Sequence, residues 1–429
     1  MSDKTGLVLG GGGSRGSYEL GVWKALIELG IEIHVVTGTS IGAVNGGLVA
    51  QGDYQKAAAL WEQIETARVI NVPVKEEYSL KQKVWQTYQT FAVNFVKNGG
   101  TDTKPLKETL GGFIDEEKVR SSAIDYGLVT VEMEGSVPRE LFREDIPRGE
   151  LIDYMIASAS IYPAFKPHKI GGVRYLDGAY YDNLPVKMAL EKGAGHIIAV
   201  DLEAFGVVKK EMMMLADRLT YIRSYWNLGP TLVFDQAVIR RNTRLGYLDG
   251  LKAFGVYEGC AFTFTPGFGR WEAKRLRRYL PLTGLLEKGS GGFVLDQLFL
   301  KQMDKIFQEH GVREPDEMGT ALVCAETAGE IFGLDSETIY SCEEWQSCLR
   351  KRVEESMKPE KEENGKTDFT DILYESAKTL AGRRSRAVLA GRIIGDLIRN
   401  QKEQVPPAGF AILPEAFLAG VYLTASELV

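Results

Sequence analysis

Ser40 stands within Gly38-Thr39-Ser40-Ile41-Gly42, and this setting singles it out among the serines of the chain. The apolar run Ile33 to Val36 precedes the pentapeptide, and a stretch of small residues to about Ala50 follows it, so it falls between a strand and a helix. A Gly-x-Ser-x-Gly sequence so placed makes a sharp turn that lifts the serine oxygen clear of the sheet, toward substrate. Gly38 and Gly42 leave room for the turn. Ala43, Gly46, Gly47 and Ala50 keep the following helix slim enough to lie close to the sheet. The chemistry such a serine offers is nucleophilic attack on an acyl carbonyl.

Acyl transfer also needs donors for the oxyanion that develops. One strand–helix unit earlier, Leu9-Gly10-Gly11-Gly12-Gly13-Ser14-Arg15-Gly16 follows the apolar run Gly6 to Leu9 and opens a helix. That helix carries the stripe Leu20, Trp23, Leu26 and Ile27 and closes at Gly30. Successive residues without side chains expose backbone N–H groups, and the helix start adds its positive dipole end. Each such donor is worth roughly 3 kcal/mol of transition-state stabilisation. Arg15 would either hold the loop or attract an anionic head group. The plainer reading of the glycines is a tight strand–helix turn. Gly11, Gly13 and Gly16 also fit the dinucleotide fingerprint, which would make the chain an oxidoreductase. Against that, the second strand ends Val36-Thr37-Gly38, without the acidic residue a ribose would require.

A serine nucleophile usually has a histidine as its base, and the chain has four histidines. His34 lies several residues before Ser40 on the incoming strand, and at about 3.3 Å per residue it sits well below the serine. His196 begins a strand, whereas sites in open α/β sheets lie at strand carboxyl ends. His310 falls in a helical region and reads as a surface residue. Only His168 is in a loop that could approach the site, and its simpler reading is a partly exposed loop histidine.

Further on, Tyr175-Leu176-Asp177-Gly178-Ala179 continues into Asp182-Asn183-Leu184-Pro185. Asp177 before Gly178, taken alone, is a turn pair. A Gly-rich turn, then Gly-x-Ser-x-Gly, then Asp-Gly-Ala, in that order, resembles the patatin-like phospholipase family. Ala157-Ser158-Ala159-Ser160-Ile161-Tyr162-Pro163-Ala164-Phe165 also looks like the family's small-residue helix end and loop before the Asp strand. The resemblance covers about residues 5 to 205. The family often has Asp-Gly-Gly, and Asp-Gly-Ala with Ala179 is its accepted variant. The resemblance implies a three-layer α/β/α fold with a mainly parallel sheet and a Ser–Asp dyad without histidine. Ser40 would be the nucleophile, Asp177 the base, and the N–H groups of Gly11, Gly12 and Gly13 the oxyanion hole. Arg15 and Gly16 would support that loop, Gly38 and Gly42 the elbow, and Gly178 and Ala179 the Asp motif. A free aspartate with a pKa near 3.9 is a poor base for an alcohol, so the dyad would need a close hydrogen bond.

Alternating strands and helices over the first 205 residues or so, among them strands at Leu128 to Met133 and Ile197 to Val200, agree with an α/β domain. From about 206 to 429 helical signals dominate, at Glu211 to Trp226, Trp271 to Leu280 and Leu295 to Gln308, which reads as a helical C-terminal domain. Ser341 and Glu344 form a capping box for a helix toward Met357. The charged stretch Lys358 to Lys366 reads as a linker or loop before a long helix from about Asp368 to Gln401. Its Lys378, Arg383, Arg384, Arg386, Arg392 and Arg399, with apolar residues between, make it either a basic lipid-binding helix or one packed on a core with solvated arginines. Trp85, Tyr88, Phe91 and Phe95 likewise form either a core stripe or the wall of an acyl groove or lid.

The 429 residues carry a net charge of -7, which argues against a nucleic-acid partner. No His/Cys cluster has zinc spacing, so no metal is expected, and no cofactor is implied. The start lacks a secretory pattern, and no apolar run reaches the roughly 18 residues of a membrane span. A cytoplasmic chain is expected, with peripheral contact at an anionic inner membrane surface as its one membrane option, and its four cysteines reduced. The expected function is hydrolysis of lipid or small acyl esters. The rivals are a lipid-binding or regulatory protein with little turnover and the nucleotide-binding oxidoreductase.

Overall fold

The computed structural model describes residues 4–70, 77–279, 294–357, 383–399 and 414–429. The chain falls into two compact units, Met1–Phe254 and Gly255–Val429. The first therefore runs beyond the change of texture near residue 205, because an edge strand and a long helix past that point pack onto it.

One sheet organises the first unit. Its strands are β1 (Thr5–Leu9), β2 (Val35–Thr39), β3 (Asp125–Glu132), β4 (Val137–Phe142), β5 (His168–Ile170), β6 (Val173–Asp177), β7 (His196–Asp201) and β8 (Arg218–Arg223). The order is β5-β6-β3-β2-β1-β7-β8, with β4 paired to β3. From β3 to β8 every neighbouring pair is parallel, while β4, β5 and β6 run antiparallel to their partners. The central strands are buried almost along their whole length because both faces are covered. Leu7, Leu9, Val36, Ile198 and Val200 join a core with the helices Ser17–Glu28 and Ile41–Gln51. Their neighbours Val8, Val35, Ile197 and Ala199 point the other way, against Val186 and Ala189 of the helix Val186–Glu191. This is the expected three-layer α/β/α arrangement.

Glu211 to Trp226 does not form the helix its leucines and methionines suggest. Only Lys210–Met213 is helical, and Arg218–Arg223 pairs with β7 along its whole length. Leu219 and Tyr221 are exposed on this edge, so the strand lacks the buried alternation that would announce it.

The second unit is mostly helical, with a parallel pair Thr263–Phe264 and Ile339–Tyr340 as β9 and β10. Trp345 is its centre, packed edge-on to Phe264 at 4.9 Å and to Phe262 and Tyr340 at 5.1 Å. The capping box forms as expected: Glu344 N–H donates to Ser341 Oγ, and Ser341 N–H to Glu344 Oε2. The charged stretch Lys358 to Lys366 and the start of the long basic helix lie outside the described residues. Its described part, Arg383–Arg399, buries Ala387, Ala390 and Ile394, and Arg384 donates to the carbonyls of Ile331 and Phe332. Core packing is thus the reading of this helix that the structure favours. His310 is not a surface residue. It is buried, with Nδ1 2.9 Å from the Ile306 carbonyl and Nε2 3.2 Å from Glu330. No helix among the described residues is long and apolar enough to cross a membrane.

Candidate active site

Sheet register brings the serine and the aspartate together. On β3, Val129 lies beside Thr39 of β2, and the next residue, Thr130, lies beside Asp177 of β6. The residue after Thr39 therefore meets the end of β6, although 137 positions separate the two in sequence. Ser40 Oγ donates to Asp177 Oδ2 at 2.8 Å.

Ser40 holds φ 57° and ψ -124°, a conformation that side-chain-bearing residues rarely adopt and that costs of order 1–3 kcal/mol. Its surroundings impose it. The Ser40 N–H donates to Ser158 Oγ at 2.9 Å, and the helix Ile41–Gln51 begins at once. A Cβ on Gly42 would lie 2.3 Å from the Leu9 carbonyl, so only glycine lets the elbow pass this close to β1.

Asp177 is buried. Its Oδ1 accepts from the Ala179 N–H at 2.9 Å, which accounts for the Asp-Gly-Ala turn. Burial pushes its carboxyl up to about 7, and the hydrogen bonds from Ala179 and Ser40 only partly offset that. A solvated aspartate would be a poor base for an alcohol, whereas one raised near neutrality is better matched to the task. Asp182, just beyond, is also raised by burial, to about 6, and its backbone carbonyl accepts from Thr39 Oγ1 at 2.7 Å.

The three loop glycines are not equivalent. Gly11 N–H is engaged at 3.2 Å by both the carbonyl and the side-chain oxygen of Asn183, and Asn183 Nδ2 donates back to the Gly11 carbonyl. Gly12 and Gly13 N–H groups have no hydrogen-bond acceptor among the described residues. Gly13 sits at φ +57°, and a Cβ there would meet the Thr231 carbonyl at 2.0 Å. Arg15 ties the loop down: Nε donates to the Gly229 carbonyl, and Nη1 to those of Leu202 and Glu203. Of its two sequence readings, the loop-holding one matches these contacts. Gly16 packs under Ile41, where a Cβ would lie 2.6 Å away.

A cavity of roughly 910 Å³, its open mouth included, holds Ser40, Asp177 and the three loop glycines at one side. Apart from Asn183 and Thr231 the rest of its lining is apolar, with Trp61, Leu106, Leu110 and Phe165 among the residues. No histidine lines it. His168 lies on β5 and bonds Asp153 at 3.0 Å and Thr103 at 3.3 Å, His196 bonds Thr220, and His34 accepts from the Thr5 N–H. The aromatic stripe is split between inside and outside. Only Phe91 is buried, Trp85, Tyr88 and Phe95 face outward, and none of the four lines the cavity.

Two residues at this site carry no signal in a single sequence. Asn183 and Ser158 both stand in stretches that resemble the family, yet their contacts with Gly11 and Ser40 arise only once distant segments meet.

A family model described as patatin-like phospholipase matches residues 7–190. The chain is 33% identical over 199 residues to Lysophospholipase NTE1 of Saccharomyces cerevisiae, covering 46% of this chain and 11% of that protein. It is 30% identical over 202 residues to Neuropathy target esterase sws of Drosophila melanogaster, covering 46% and 13%. The chain thus spans little more than a tenth of these relatives' length. The crystal structure of VipD from Legionella pneumophila aligns with 100% of this chain and 92% of its own, at 13% identity and a TM-score of 0.35. By the family model and the relatives that share its segment, residues 7–190 are a domain of the patatin-like phospholipase family.

Proposed function

We propose that the first unit is a serine acyl-ester hydrolase acting on lipids, with Ser40 as nucleophile and Asp177 as base. The observation that carries this reading is the 2.8 Å hydrogen bond between them at the wall of an apolar cavity. Ser40 Oγ attacks the ester carbonyl carbon and its proton passes to Asp177 Oδ2. The carbonyl oxygen becomes an oxyanion facing the N–H groups of Gly12 and Gly13, while Asn183 holds Gly11 and so the shape of the loop. Collapse expels the alcohol, which takes the proton from Asp177. Water then attacks the acyl-enzyme and passes a proton to Asp177, which returns it to Ser40 Oγ as the fatty acid leaves. The relatives' printed names, a lysophospholipase and an esterase, support a lipid ester as substrate. The largely apolar lining of the cavity supports an acyl chain as the part enclosed. The protein works without a metal or cofactor and meets its substrate at a membrane surface.

A fluorophosphonate probe tests the nucleophile. It should label the native protein at Ser40 and leave Ser40→Ala unlabelled. Equal labelling of both would remove Ser40 from this role.

A further inference from the structure

The helix Leu80–Asn98 turns an apolar stripe to solvent. Trp85, Tyr88, Ala92, Phe95 and Val96 follow helical spacing along one outward face, while Phe91, whose ring lies 6.4 Å from that of Tyr88, and Thr87 turn inward at the edge of that face. Trp85 is 65% exposed and Val96 84%. A globular helix normally puts its polar side outward, so this is the reverse of the usual pattern.

The stripe is continuous with the mouth of the Ser40 cavity. The Phe95 ring lies 5.7 Å from that of Tyr162, and the Tyr162 carbonyl accepts from Tyr180 Oη. The Tyr180 ring lies 5.9 Å from Phe205, which lines the cavity while remaining 72% exposed. On the buried side, Phe91 packs at 6.0 Å against Phe165, another lining residue.

Charge decides which partner fits. The helix carries Lys81, Lys83 and Lys97 and no acidic residue, in a chain whose net charge is -7. Lys83 is paired with Asp235 at 2.6 Å. Lys81 and Lys97 remain at the two ends of the stripe. A second copy docked through the same stripe would bring lysines against lysines, since an isologous interface pairs a surface with itself. An anionic bilayer answers both features, taking aromatic rings at the head-group level and ammonium groups at its charged surface.

We infer that the outward face of the helix Leu80–Asn98, together with Phe205, is the surface on which this protein docks on an anionic lipid bilayer, with the Ser40 cavity opening at the edge of the contact. The inference rests on the lipid-hydrolase reading and names the surface through which its substrate is reached.

The test measures partition of the full chain onto phosphatidylcholine vesicles with and without phosphatidylglycerol, beside turnover of a soluble short-chain ester. Native protein and Ser40→Ala should bind the anionic vesicles equally, and more tightly than neutral ones. The double variant Trp85→Gln, Val96→Gln should lose at least about tenfold in partition while keeping its short-ester turnover, which also shows that it folds. Unchanged partition of that variant overturns the inference. So does loss of binding in Arg386→Gln, Arg392→Gln alone, which would put the contact on the C-terminal helix. Sedimentation velocity supplies a third decision, because a native dimer abolished by the double variant without loss of vesicle binding would assign the stripe to a second copy. Vesicle binding by a native protein that turns over no ester would refute the hydrolase reading and leave the docking surface standing.

Discussion

Burial that raises Asp177 to about 7 sets activity and stability against each other. As base it must be ionised, so kcat/KM for a soluble ester should rise with pH through an acid limb near 7. A limb below pH 5 would show a solvated carboxylate instead. The stability effect has the opposite sign. From about pH 4 to 7 the unfolded chain has released this proton while the folded one keeps it, so stability falls as pH rises. The loss is complete above about 7, and the shift from 3.8 to about 7 bounds it at about 4 kcal/mol. Asp177→Asn keeps the shape and removes the charge. It should therefore lower ester turnover by at least about a hundredfold, and it should raise the thermal midpoint at pH 8 relative to native protein more than at pH 4. His168→Ala should keep most of the turnover, since its ring faces Asp153 and Thr103 rather than Ser40. A dead His168→Ala with an active Asp177→Asn would replace the dyad by a histidine mechanism.

Among the elements, the loop Gly10–Gly16 depends on a side chain that joins it from 172 residues away. Asn183→Ala removes both side-chain bonds to Gly11 but leaves the Asn183 carbonyl in place. Turnover should fall about tenfold or more, with KM little changed, because the loop serves the transition state more than the ground state. An altered KM with unaltered kcat would make Asn183 a binding residue instead. This contrast shows what a single sequence carries. The strand–glycine–helix unit and the serine elbow are local patterns, whereas the Asp-Gly-Ala turn took its meaning from following those two in order. Asn183 acts through a cross-chain pair and was not legible. Edge strand β8 was hidden by a helix-forming neighbourhood, and only its pairing with β7 decides its state. The stripe from Trp85 to Phe95 had the right spacing for a helix, but periodicity cannot say which way an apolar face points.

For the molecule as a whole, the two compact units carry separate titrations. In the second, His310 has both ring nitrogens against acceptors, the Ile306 carbonyl and Glu330, with Glu326 3.8 Å from Nε2. A neutral imidazole donates from only one nitrogen, so the cation is the form this pocket satisfies. Burial lowers its pKa, but the Glu330 hydrogen bond and the Glu326 charge outweigh that and raise it to about 9. Because the folded value lies above the unfolded 6.5, the stability gained is fully present below about pH 6.5 and is lost as pH rises through 9. The shift corresponds to about 3 kcal/mol. His310→Gln should lower the unfolding midpoint at pH 6.5 by several degrees, and the gap from native protein should close by pH 10. Calorimetry of the full chain across that range reads both effects. Fluorophosphonate labelling of Ser40, which belongs to the first unit, should be unchanged in the folded variant. A midpoint gap that stays constant from pH 6.5 to 10 would mean that His310 contributes by packing alone, and that its two glutamates are stabilised by other partners.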